Sequence, residues 1–182
     1  MPSNMDVIKL DPIKFLSVFP IMISGTKTST TKDVFYGKKQ SFLRFDPAFP
    51  NVDPGITAEK YKAHIVAAQH GEPNFYNLSG TSDVMITSQL SGCCLIRQNN
   101  TLAHVWPHVG DSCKCGVKGL PGESGLEVQQ RLTLSHPNCK TYGKKNYQAK
   151  TAYVIGINHA GWKFYAQEQM GNRVTSAFQV LT

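Results

Sequence analysis

Two adjacent cysteines, Cys93 and Cys94, follow Leu90-Ser91-Gly92, and His104 stands eleven residues beyond the first of them. A thiol and an imidazole are the parts of a nucleophilic pair, in which the ring takes the thiol proton and the thiolate attacks. Between them, Asn99-Asn100 suits both central positions of a type I′ turn, because Asn tolerates positive φ. That turn pairs Gln98 with Thr101, Ile96 with Ala103, Leu95 with His104 and Cys93 with Trp106. Side chains alternate along a strand, so Cys93, Leu95, His104 and Trp106 share one face and Cys94 takes the other. Cys93 and His104 then become diagonal neighbours, roughly 7–8 Å apart at Cα. A one-residue bulge would break this arrangement. Gly92 is expected to leave the thiol open to a bulky substrate, and amides of this small-residue loop to face a developing oxyanion. As a bare pattern, the same residues also fit an ordinary apolar hairpin.

Leu90-Ser91-Gly92-Cys93 with a histidine slightly over ten residues on resembles the motif of the cytotoxic necrotizing factor deamidases, most of all the Burkholderia lethal factor type. Bacterial chemoreceptor glutamine deamidases share the same core. In those and in the lethal factor, a threonine six residues before the cysteine completes a triad; here that position is Thr87, in ITSQLSGC. The resemblance covers about residues 81 to 106. It implies a cysteine-dependent deamidase that converts a glutamine of a target protein to glutamate. Cys93 would be the nucleophile, His104 the base and Thr87 its orienting partner, with Gly92, Ser91 and Leu90 at the substrate and oxyanion side. It further implies no metal or organic cofactor, and a β-sandwich with flanking helices. The protein substrate would be a host Rho-type GTPase or a translation-initiation helicase. The protein would then be a toxin or effector, secreted or delivered into the host cytosol and acting as a monomer.

Three other readings compete. INHAGW at 157–162 looks like the surroundings of a papain-type histidine, which would pair Cys93 with His159 in a peptidase or acyltransferase. The gap is short for that family, and the cysteine lacks its usual neighbours. His108, Cys113, Cys115, His136 and Cys139 could instead supply zinc ligands, although C-x-C is tighter than the common spacing. KTYGKKNYQAK at 140–150 interleaves tyrosines with lysines and could touch nucleic acid. No nucleic-acid motif accompanies it, so a solvated loop and no nucleic-acid partner are expected.

The elements that must position these groups are legible in outline. At 182 residues, the chain is read as one catalytic domain over 1–182, long enough to bury a core. A net charge of +7 suits an acidic partner surface without choosing one. Five cysteines leave one thiol unpaired, which argues for a reducing compartment or a reactive thiol. FLSVFPIMISG at 15–25 is too short to span a membrane, lacks a cleavage signal and reads as core strand. TAEKYKAHIVAAQHG at 57–71 reads as the one strong helix, capped by Thr57 and stopped by Gly71 and Pro73, with His64 and His70 exposed on it. FYGKKQSFLRF reads as one or two strands and DPAFPNVDPG as irregular. The apolar runs at 83–87, 93–98, 101–106, 126–134, 151–158 and 161–166 read as strands. The sum is α+β: a β-sandwich core of mixed sheets with one or two helices outside.

Overall fold

The structure, a computed structural model, describes residues 4–48, 52–107 and 122–182. It is α+β and mostly sheet. The chain opens with two short helices, α1 (Asn4–Leu10) and α2 (Pro12–Val18). Asp11 caps the second, accepting from the Lys14 amide, and Pro12 takes a first-turn position where its missing N–H costs nothing. Pro20 then ends the helical stretch, and β1 (Ile21–Ile23) follows. The 15–25 run is therefore half helix and half strand, because Asp11-Pro12 nucleates a turn ahead of the β-branched residues.

Seven more strands complete an eight-stranded sheet: β2 (Thr30–Lys39), β3 (Phe42–Asp46), β4 (Glu59–Val66), β7 (Val84–Thr87), β11 (Thr151–Asn158), β12 (Trp162–Met170) and β13 (Arg173–Val180), in the order β1-β3-β2-β4-β7-β11-β12-β13. The smaller sheet runs β10 (Lys140–Tyr142), β8 (Cys94–Gln98), β9 (Thr101–Trp106), β5 (Ala68–His70), with β6 (Tyr76–Asn77) also on β9. Both sheets feed one apolar layer, in which Val66, Met85, Val154 and Phe164 of the large sheet meet Leu95 and Leu102 of the small one. Outside the large sheet, Ile8, Phe15 and Leu16 of the first helices pack on Val34, Ile65, Ile86 and Ile155. Outside the small sheet, α3 (Gly125–Ser135) lays Val128 and Leu132 on Cys94, Ile96, Ala103 and Val105. Two sheets packed face to face with helices on the outer faces is the architecture expected of a flanked β-sandwich.

Two elements differ from the sequence reading, and both bear on the site. The stretch 57–71 is no helix: it holds β4 and β5, and β4 is buried on both faces over residues 63–66. Ala63 and Ile65 face the outer cluster while Val66 faces the inter-sheet layer. The helical spacing of Ala58, Tyr61, Ile65 and Ala68 is overridden by pairing with β2 on one side and β7 on the other. His64 is consequently buried, bonded through Nδ1 to Thr31 Oγ1 at 2.8 Å, whereas His70 is exposed as expected. Conversely, 126–134 is the helix α3. Ser124 and Glu127 form a reciprocal capping box, and Leu126 and Leu134 point to solvent. The signature S-x-x-E was present in SGLE.

The first helices are held by a buried amide. Gln167 of β12 donates from Nε2 to the carbonyls of Leu16 and Phe19, and its Oε1 accepts from the Ile21 amide at 2.8 Å. These are the orphan backbone groups where α2 ends and β1 begins. Gln167→Leu keeps the bulk but strands them in an apolar setting. It should cost roughly 1–3 kcal/mol, read as a lower urea midpoint at unchanged slope.

Candidate functional site

The hairpin register is the one expected. Gln98 pairs with Thr101, Ile96 with Ala103, Leu95 with His104 and Cys94 with Val105, around a turn in which Asn99 takes φ 51°. Cys93 stands one residue before β8, so its pairing with Trp106 lies beyond the ladder. The alternation nevertheless carries through it. Cys93 belongs with Leu95 to the inter-sheet layer, and Cys94 packs beneath α3. The two adjacent thiols face opposite sides of the small sheet.

Thr87 and His104 come from different sheets and meet in the layer between them. One segment arranges this. Val66 pairs with Thr87 in the large sheet, the chain crosses at Ala67, and Ala68 pairs with His104 in the small sheet. The crossing strand thus sets Thr87 and His104 opposite each other, and Thr87 Oγ1 lies 2.7 Å from His104 Nδ1. The direction of that bond follows from proton count. The Thr87 hydroxyl has one proton, which it donates to the Val66 carbonyl at 2.8 Å. A carbonyl cannot donate in return, so toward the ring the hydroxyl accepts and Nδ1–H donates. The Nε2 lone pair is left over, and Nε2 is buried without a hydrogen-bond partner among the described residues. Burial holds the His104 pKa down to about 3, so the ring is neutral. The neutral ring keeps its Nε2 lone pair free, while burial disfavours the charged form.

Cys93 is the thiol on the inter-sheet side of the same hairpin. It keeps 6% of its exposure and lines a cavity of about 280 Å³ together with His70, Gln89, Ser91, Trp106 and Pro107. Trp106 is an exposed aromatic wall, with His70 edge-on to it at 4.9 Å between ring centroids. His104 is fully covered and does not line this cavity. Among the described residues no hydrogen bond joins the Cys93 thiol to His104 Nε2. Burial pushes the Cys93 thiol up to about 11, so it rests as the neutral thiol rather than in an ion pair with His104. The openness expected from Gly92 is not what the structure uses glycine for. A Cβ there would meet nothing closer than 3.9 Å, but its φ of +116° is a left-handed conformation that a side chain disfavours.

The loop from Gln89 to Cys93 is pinned along its length. Leu90 exchanges both backbone bonds with Ala152 of β11, at 2.8 and 3.0 Å. The Gly92 amide donates to the Tyr147 hydroxyl at 2.6 Å. Those two amides are therefore committed, which corrects the expectation that Gly92 N–H serves an oxyanion; of the anticipated pair, the Cys93 amide remains. Tyr147 itself went unrecognised in the sequence, where it read as part of a lysine-tyrosine loop. Both Tyr142 and Tyr147 are buried, so neither ring presents a face on which a base could stack.

The competing sites fare differently. His159 lies exposed in the β11–β12 turn, beside Ala160 (φ 56°) and Gly161 (φ 114°), and does not line the cavity at Cys93. His108, Cys113 and Cys115 lie outside the described residues. His136 bonds to Ser135 Oγ at 2.8 Å and Cys139 is a free thiol. Among the described residues, no three His, Cys, Asp or Glu side chains gather as a metal would require.

Two measurements follow. Cys93 alkylation by iodoacetamide should be slow at neutrality and rise toward pH about 11 as the thiol itself ionises. His104→Ala should slow the neutral reaction and keep the rise. Stability should fall as pH drops from 6.5 toward 3, because there the unfolded chain binds a proton that folded His104 refuses. His64, also held below its usual value by burial, adds to the same slope. Urea midpoints in His104→Gln should show a shallower acid limb; an unchanged limb would contradict the buried neutral ring. No model of a known protein family matches the chain, and no curated protein matches it.

Proposed function

We propose that the protein is a cofactor-free cysteine deamidase that hydrolyses the side-chain amide of a glutamine in another protein. The observation that carries this reading is the hydrogen-bond chain Val66 C=O, Thr87 O–H, His104 Nδ1–H, which leaves the Nε2 lone pair on the same face as a thiol that lines a cavity. Nε2 takes the Cys93 proton as the sulfur attacks the amide carbon, and the C=O pair becomes an oxyanion facing the Cys93 amide. The protonated ring then gives its proton to the departing nitrogen. The C–N bond breaks, ammonia leaves and a thioester remains. Water, losing a proton to Nε2, hydrolyses the thioester to glutamate and returns the thiol. A resting thiol suits this sequence, because proton transfer and attack are then coupled. Thr87 touches no substrate; it fixes the tautomer, as the third member of a triad does.

The likeness of Leu90–Cys93, Thr87 and His104 to the lethal-factor type of deamidase supports the same chemistry, and with it the proposal of a toxin or effector active in a host cytosol. Among the described residues, no helix is long and apolar enough to cross a membrane. By the same likeness, Rho-type GTPases and a translation-initiation helicase are the candidate targets, and a net charge of +7 suits docking on an acidic surface.

The test is intact mass of those candidates after incubation. One amide-to-acid conversion adds about one dalton, with release of ammonia. Cys93→Ser and His104→Ala should each lower ammonia release by roughly 10³-fold or more. Cys94→Ser should leave it within about twofold, because that thiol lies under α3 on the far side of the sheet. Loss of activity in Cys94→Ser with retention in Cys93→Ser would sink the assignment.

A further inference from the structure

The catalytic loop is gripped from two sides by residues outside its own motif. On one side the Gly92 amide donates to Tyr147 Oη at 2.6 Å. Tyr147 is fully buried, with Lys144 Nζ 4.7 Å from its ring centroid, and Lys144 in turn donates to the Ala149 carbonyl at 3.1 Å. The ring therefore has little freedom to leave. On the other side the first turn of α3 lies on the same residue. A Cβ on Gly125 would stand 2.7 Å from Gly92 O and 2.9 Å from Gly92 Cα. Real side chains do not approach backbone so closely, so glycine at 125 is what lets the helix seat there. The capping box of Ser124 and Glu127 fixes that turn, and Arg131 is tied to Glu123 at 2.8 Å just ahead of it.

We infer that Tyr147 and Gly125 are positioning residues for the nucleophile: together they hold Gly92 in its left-handed conformation and so aim the Cys93 sulfur at His104. This rests on the proposed roles of Cys93 and His104. Neither residue touches the reacting atoms, and no bond in the reaction changes at either. What they set is where the thiol sits when Nε2 takes its proton. A left-handed Gly92 has no internal reason to persist in a six-residue connection between two sheets; one amide bond and one close backbone contact supply that reason.

The test uses the full chain and iodoacetamide, following Cys93 by peptide mass at neutral pH in wild type, Tyr147→Phe, His104→Ala and the double variant. Tyr147→Phe keeps the ring and removes the acceptor. It should slow alkylation roughly five- to tenfold, the size of one hydrogen bond, and should slow it no further once His104 is gone. A purely structural tyrosine would lower the melting temperature and leave that coupling absent. Wild-type rate in Tyr147→Phe, or an equal loss in both backgrounds, would overturn the inference. Equal rates in wild type and His104→Ala would overturn it together with the assignment of the base. If Tyr147→Phe does not fold, amide exchange in the wild type decides: Gly92 N–H should be protected, and fast exchange there sinks the grip. An absence of ammonia release alongside a protected Gly92 and a coupled Tyr147 would instead count against the reaction and not against the positioning.

Discussion

A single hydrogen bond joins the two sheets where the chemistry is proposed. Thr87 belongs to the large sheet and His104 to the small one, and their 2.7 Å contact lies beside an apolar layer that includes Val66, Met85, Leu95 and Phe164. Polar groups in such a layer are costly unless paired. Thr87 satisfies its proton on Val66 and its lone pair on the ring. His104 satisfies one nitrogen and leaves the other unpaired. Burial holds the ring neutral, and the bond to Thr87 leaves Nε2 as the basic nitrogen.

The geometry that makes the bond possible is a strand that changes sheets. Over Val66, Ala67 and Ala68 the chain leaves one sheet and joins the other, and it pairs with Thr87 before the crossing and with His104 after it. The loop of Gln89 to Cys93 makes the companion crossing from β7 to β8. Two crossings side by side tie the sheets at a corner, and backbone that would otherwise be a liability there is anchored by Leu90 on Ala152 and by Gly92 on Tyr147. The corner is also where the sandwich opens to solvent, so a thiol can be rigidly held and still line a cavity walled by Trp106 and His70.

A second threonine-histidine pair joins an exposed Thr31 to a buried His64. Thr31 and His64, with the Tyr76 hydroxyl 2.7 Å from Thr31 Oγ1, bond at Nδ1 and also leave Nε2 buried and unpartnered. No thiol accompanies it, and His64 packs edge-on against Trp162. The comparison isolates what the pair at 87 and 104 has besides its hydrogen bond, namely a thiol just ahead of the adjoining strand that lines a cavity.

The local chemistry was readable in the chain. Asn99-Asn100 dictates a two-residue turn, a two-residue turn dictates the register, and the register sends Cys93 toward His104 and Cys94 away, because side chains alternate whatever surrounds them. The strands at 83–87, 101–106 and 151–158 and the sandwich class were legible from apolar runs between turns. The stretch 57–71 was not, since Ala58, Tyr61, Ile65 and Ala68 recur at helical spacing, and only pairing with β2, β7 and β9 makes it strand. Residues 126–134 show the opposite case: the SGLE cap marked a helix locally, but alternating apolar residues suggested a strand. Proximity in space, finally, has no period in sequence. That Tyr147 meets Gly92 across 55 residues, that Gly125 must lack a side chain, and that Thr87 bonds His104 across two sheets were decided by the packing of those sheets and α3, which no local rule contains.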